Sequence, residues 1–135
     1  DRVVLDQIGY CGADSQAYAC LEDSRIIGLC FFWWGARYRT RNFWPLAEGE
    51  AKLVQIIVLP QMRGQGVAAQ LITYATADMF AQGYSRLYAR IWHSHASSLK
   101  AFSRAGWQRI ATLIETHPLQ RKKALRLCWP ISGKR

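Results

Sequence analysis

AKLVQIIVLPQMRGQGVAAQLITYATADMFAQ, residues 51–82, holds three successive patterns. Residues 53–58 form a short apolar run with β-branched side chains, which reads as a buried strand. Pro60 ends it, because proline has no N–H to give to a ladder. Arg63-Gly64-Gln65-Gly66 is a tight turn. Val67, Ala68, Leu71, Ile72, Ala75 and Met79 then recur at helical spacing, and Gly83 stands where a C′ glycine ends a helix. A strand, a glycine turn and a helix in this order can hold an anion. The N–H groups of the first helical turn are free, the macrodipole adds partial positive charge, and glycines let backbone approach a phosphate. The sequence therefore predicts a phosphate cradle formed by Arg63, Gly64, Gln65, Gly66, Val67 and Ala68.

Upstream, residues 16–21 and 26–34 read as two strands around the turn Glu22-Asp23-Ser24-Arg25, a β-hairpin. Val3-Val4-Leu5 and Ile8 read as the end of a helix or a short strand. Residues 35–50 read as a loop rich in arginine and aromatics, with Arg37, Tyr38, Arg39, Arg41, Phe43 and Trp44. Downstream, residues 85–92 read as a strand. A helix separates it from the strand at 53–58, so the two are expected to pair in parallel through a crossover. Leu99, Phe102 and Ala105 mark the inner face of a short helix that Gly106 ends. Residues 107–114 and 124–129 read as strands around the loop 115–123, and the tail 132–135 reads as frayed. Strands and helices in this order make a mixed sheet flanked by helices.

The chain has 135 residues, enough for one domain, and is 50% hydrophobic with Trp 6, Tyr 6 and Phe 5. That composition fits a packed core and excludes a disordered chain. No apolar run approaches the roughly 18 residues of a membrane span, so no membrane partner is expected. Cys11, Cys20, Cys30 and Cys128 form no CxxC pair and lie in or near apolar segments. Free buried thiols in a cytoplasmic protein are the expectation, with neither disulfide nor metal. The net charge of +9 favours an anionic partner, a phosphorylated cofactor or RNA. Arg37, Arg39 and Arg41 interleaved with Trp33, Trp34 and Trp44 suit an anionic or aromatic acceptor, or single-stranded RNA; packed tryptophans beneath solvated arginines are the alternative. Arg121-Lys122-Lys123 reads as a solvated turn.

Three readings of the glycine turn compete. A P-loop needs GxxxxGK(S/T), and no Lys-Ser/Thr pair follows here. The dinucleotide pattern GxGxx(G/A) is met by Gly64, Gly66 and Ala69. It also needs an acidic residue about 20 positions on, at the end of the next strand. That end is Ala89-Arg90-Ile91-Trp92, with no Asp or Glu. In the third reading, Arg63-x-x-Gly66-x-Ala68, led in by Val58-Leu59-Pro60, resembles the Q/R-x-x-G-x-G/A signature of the GNAT superfamily of N-acetyltransferases. His95-Ala96-Ser97-Ser98-Leu99-Lys100-Ala101-Phe102-Ser103-Arg104-Ala105-Gly106-Trp107 resembles the superfamily's second signature, N-x-(A/S)-S-x-x-x-(Y/F)-x-x-x-G-(F/W). Both occur at the right separation, and the resemblance covers residues 16–129.

The resemblance implies an acyl-CoA N-acyltransferase fold: an α/β (α+β) domain with a mixed, mostly antiparallel central sheet, two splayed parallel strands and flanking helices. It implies one domain over residues 1–135. The stretch before Gln16 is shorter than the strand and two helices that usually open the family, so the numbering is expected to begin inside the domain. It implies acetyl-CoA as co-substrate, with its pyrophosphate on the cradle, its pantetheine along Ile56 to Val58, and an N–H of Ile57 or Val58 polarising the thioester carbonyl. Ser98 and Phe102 would touch the cofactor, although Ser97 and Ser98 also suit helix capping. The family transfers the acetyl group directly to an amine, which needs a base of suitable pKa. Phe102 stands where a tyrosine usually protonates the thiolate, His95 where an asparagine is usual, and Lys52 where a glutamate base is frequent. His95, His93 and Glu50 are the catalytic candidates. The expected acceptor is a primary amine of a small molecule. A protein amine or aminoacyl-tRNA, and a non-catalytic CoA-binding module, are the alternatives. Apolar residues near the N-terminus leave a homodimer contact or preceding residues as explanations.

Overall fold

A computed structural model of the chain describes residues 2–39, 45–91, 95–116 and 125–130, by backbone alone for 111–116 and 125–130. The hairpin forms as read. Strands β1 (Ser15–Glu22) and β2 (Arg25–Trp33) pair antiparallel, with Glu22 opposite Arg25. Asp23 and Ser24 between them have φ of 50° and 66°. A two-residue turn joining right-twisted strands needs positive φ at both central positions, and Asp tolerates it because its short side chain can bond its own backbone. β3 (Glu50–Val58) pairs antiparallel with β2, and β4 (Arg86–Ala89) pairs parallel with β3, giving the order β1-β2-β3-β4. A parallel neighbour requires a crossover; a helix over Val67–Ala81 supplies it.

Two short elements precede and follow the hairpin: α1 (Arg2–Leu5), succeeded by a 3-10 turn Ile8–Tyr10, and α2 (Gly35–Arg39). With the crossover helix as α3, Ala96–Arg104 forms α4. β5 (Ala111–Thr116) and β6 (Leu125–Pro130) pair antiparallel as a separate two-stranded sheet. The mixed sheet with flanking helices is thus present, though β5 and β6 stand outside it among the described residues.

β2 explains its own uninterrupted apolar sequence, because both of its faces are covered. On one face Cys30 and Phe32 join Tyr18, Ala51 and Leu53 beneath Leu71, Ile72, Ala75 and Met79 of α3 and Phe102 of α4. On the other, Tyr10 stacks on Phe31 at 5.4 Å, and Trp33 donates its ring N–H to the Tyr10 carbonyl at 2.9 Å. Phe31, Phe32, Ile72 and Met79 are almost fully buried, so truncating any one to alanine costs about 2–5 kcal/mol. A second cluster of Ile27, Leu59, Met62 and Val67 anchors the start of α3. Gly28 makes room for it, since an added Cβ there would lie 3.1 Å from Val67 Cγ1.

Several expectations change. The strand read over 107–114 begins only at Ala111 and runs to Thr116. The strand read over 85–92 spans only Arg86–Ala89, because its last pair with β3 is Leu53 with Ala89. The loop read over 35–50 contains α2. Arg37 does not reach toward an acceptor: its guanidinium stacks on Trp33 at 4.7 Å and donates to the carbonyls of Gly9, Cys11 and Ala13. It ties the N-terminal segment to α2. Cys30 is buried as read, Cys20 is half-buried, and Cys11 is exposed, all with free thiols. Arg41, Phe43, Trp44, His93, the Arg121-Lys122-Lys123 turn, the tail and the Cys128 side chain lie outside the described residues.

Candidate active site

The site begins where β3 and β4 part. Their register runs from Glu50 with Arg86 to Leu53 with Ala89, while β3 continues to Val58. Beyond Leu53 the β4 side of β3 carries no strand among the described residues. A bulge sits at the same point. β2 pairs Phe32 with Leu53 and Phe31 with Gln55, so Val54 is paired in neither ladder. A bulge inserts one residue, turns the strand and exchanges its faces. Before it Ala51 and Leu53 point into the core; after it Ile56 and Val58 do.

Alternation assigns the backbone amides of β3. Leu59 donates its N–H to the Ile27 carbonyl at 2.9 Å, so Ile57, two residues back, also faces β2. The backbone groups of Ile56 and Val58 face the open gap. Of the two amides expected to polarise a carbonyl, Val58 lies on the gap side and Ile57 on the β2 side. Arg63 folds back so that its Nε donates to the Val58 carbonyl at 3.3 Å, holding its cation at the mouth of the gap.

The turn beyond has the shape of an anion cradle. Gly64 and Gly66 have φ of 81° and 80°, in the left-handed region that glycine enters without strain, and no atom lies within 4 Å of a Cβ built on either. Among the described residues the N–H groups of Gly64, Gln65, Gly66, Val67, Ala68 and Ala69 have no hydrogen-bond partner. Gly66 is the N-cap residue of α3 and, lacking a side chain, caps nothing. Open space, free amides and a helix N-terminus fit a pyrophosphate.

At the closed end of the gap, Glu50 accepts from the Ala47 N–H at 2.8 Å and from the Tyr88 hydroxyl at 3.4 Å. Lys52, two residues along β3 from Glu50, is opposite Tyr88 in register and is 6% exposed, with its ammonium 5.8 Å from the Tyr38 ring centroid. His95 is exposed at the N-cap of α4 and makes no side-chain cap bond. Ser97 and Ser98 lie inside that helix, so neither is its cap, contrary to the capping expectation; Ser98 is half-buried. Phe102 is a core residue, 5% exposed, with its ring edge-on to Trp107 at 4.9 Å. Sequence reading missed Tyr88 and Val54. A tyrosine in a strand is unremarkable until register places it opposite Lys52, and a bulge leaves no mark in an apolar run.

The model of the acetyltransferase (GNAT) family matches residues 4–107. The chain belongs to the GNAT family. Its activity class is N-acetyl transfer, with acetyl-CoA as co-substrate. No curated protein matches it by sequence. Among solved structures, this GNAT chain resembles an aminoglycoside N-acetyltransferase, AAC(6')-Iy, in complex with CoA, with 18% identity, 80% of this chain and 79% of that one covered, and a TM-score of 0.58. It resembles an IAA acetyltransferase from Bacillus cereus at 15% identity, covering 97% and 85%, with a TM-score of 0.60. A ribosomal-protein alanine N-acetyltransferase from Escherichia coli has 16% identity, 97% and 78% coverage and a TM-score of 0.63. At these identities the likeness is one of fold. Among the described residues no helix is long and apolar enough to cross a membrane, and no group of three or more His, Cys, Asp or Glu could hold a metal ion.

Proposed function

We propose that this enzyme acetylates a primary amine of a small molecule, with Glu50 as the base. The observation that carries the reading is the parting of β3 from β4 beside a turn of unpartnered amides. The pyrophosphate of acetyl-CoA rests on the N–H groups of residues 64–69. The pantetheine lies along the free edge of β3, and the N–H of Val54, at the bulge, donates to the thioester carbonyl as charge develops on it. An ammonium has no lone pair, so the acceptor first loses a proton. Glu50 is about 10 Å along the strand from Leu53, at roughly 3.3 Å per residue. It therefore takes that proton through the Tyr88 hydroxyl and bridging waters. The amine nitrogen then bonds to the carbonyl carbon, the C–S bond breaks, CoA leaves as thiolate, and the nitrogen gives up its second proton to solvent water as the amide forms. Phe102 has no proton to give, and a thiolate leaves without one.

Glu50 is favoured over His95 because two donors hold it in place while His95 is solvated. The small-molecule acceptor rests on fold likeness to aminoglycoside acetyltransferases, one solved with a bisubstrate analogue. The test is CoA release with a panel of aminoglycosides, amino acids, arylalkylamines and peptides, on the parent chain and Glu50→Gln. Turnover of a small amine is expected, with kcat falling about 100-fold in the variant, the usual worth of a positioned base. Preference for a peptide N-terminus would overturn the acceptor, and an unchanged kcat would overturn the base.

A further inference from the structure

A surface helix normally turns charged residues to water. α3 does not. Its outward residues are Gln70, Thr73, Tyr74, Ala77, Phe80 and Ala81, all exposed and all uncharged. Tyr74 is 67% and Phe80 48% exposed. The helix has a single charged residue, Asp78, and it is engaged within the chain, accepting from the Tyr18 hydroxyl and the Gln82 amide, each at 2.6 Å. Beside Tyr74, the apolar groove against β1 is lined by Ala19, Cys20, Leu21, Gln70 and Leu71, with Leu21 62% exposed.

Charge is segregated around this face. Residues 3–24 and 64–85 contain no Lys or Arg, although the chain carries 18 of them and a net charge of +9. β1 and α3 come from those two stretches and pack together through the core. A strongly basic chain repels its own copies, and neither β1 nor α3 brings a cation of its own to this face. The stripe is also self-complementary. In an antiparallel pair of α3 helices centred on Ala77, Tyr74 comes level with Phe80 of the second copy and Thr73 level with Ala81. Small Ala77 on the axis lets the helices approach. A two-fold contact requires this kind of match, since one patch must serve as its own partner.

We propose that α3 is the interface of a homodimer, packing antiparallel on α3 of a second copy about a two-fold axis at Ala77. Sedimentation velocity of the full chain over a concentration series is expected to show a monomer–dimer equilibrium. Chains carrying Tyr74→Glu with Phe80→Glu, or Tyr74→Lys with Phe80→Lys, are expected to sediment as monomers. They should keep the parent's circular dichroism and its heat of acetyl-CoA binding. Ala77→Arg, on the axis, should independently give a monomer. Mixing the acidic and basic chains should restore a dimer, because level positions then carry opposite charges. A parent that stays monomeric throughout overturns the proposal. So does a dimer that survives the charged pairs, or a mixture that fails to recombine. None of these readouts depends on which amine the enzyme acetylates.

Discussion

Gly66 and Gly83 flank α3, both at positive φ, 80° and 105°, and at neither would an added Cβ meet another atom within 4 Å. Alanine costs either position about 1 kcal/mol of left-handed strain. Only Gly66 lies in the turn proposed to hold the pyrophosphate. Gly66→Ala is therefore expected to raise the KM for acetyl-CoA about tenfold, roughly 1.4 kcal/mol of binding, and to lower Tm. Gly83→Ala should lower Tm similarly and leave KM unchanged. Equal KM effects in steady-state assays would mean that strain, not phosphate contact, is being read. The glycines were legible in the sequence because positive φ restricts residue type. The setting of Glu50 was not, since the Tyr88 hydroxyl comes from a strand 38 positions away. Phe102 could be read as a departure from a motif, while its burial against Trp107 depends on the packing of α4.

α3 and α4 are joined by one polar latch. Trp107, just past α4, donates its ring N–H to Thr76 Oγ1 at 2.9 Å, and that hydroxyl donates to the Ile72 carbonyl at 2.6 Å. Thr76→Val keeps the shape and strands a half-buried donor, at a cost of about 1–3 kcal/mol. The expected readout is a lower urea midpoint with unchanged slope, while Thr73→Val, whose hydroxyl bonds only within its own helix, should shift it far less. The elements themselves were mostly legible. The hairpin, β3 and α3 follow from alternation, apolar runs and helical spacing. β4 was read too long because Arg90 and Ile91 keep strand propensity after the pairing with β3 has ended at Ala89. Propensity reports what a residue tolerates, and pairing reports what its neighbour offers.

Two buried acids couple the fold to alkaline pH. Burial pushes the Cys30 thiol up to about 12 from 9.0. Burial, aided by the bond to Asp78, raises the Tyr18 phenol well above its usual 10.0. Both groups keep their protons in the fold and lose them at lower pH when unfolded. The unfolded chain thus binds fewer protons above about pH 9, and stability falls as pH rises from there. Urea midpoints should be flat from pH 7 to 8 and decline toward pH 11, with a shallower decline in Cys30→Val and in Tyr18→Phe. A decline as steep in both variants would remove these groups as its cause. The linear pattern of residues 51–82 was enough to specify a strand, a glycine turn and a helix, because each depends on φ preferences and on periodicity within a few positions. The gap depends on register between strands that are distant in the chain. So do the bulge at Val54, the turning of Ile57 away and Val58 toward the opening, and the meeting of Glu50 with Tyr88. Register is settled by how whole faces bury against α3 and α4, and no local stretch encodes it.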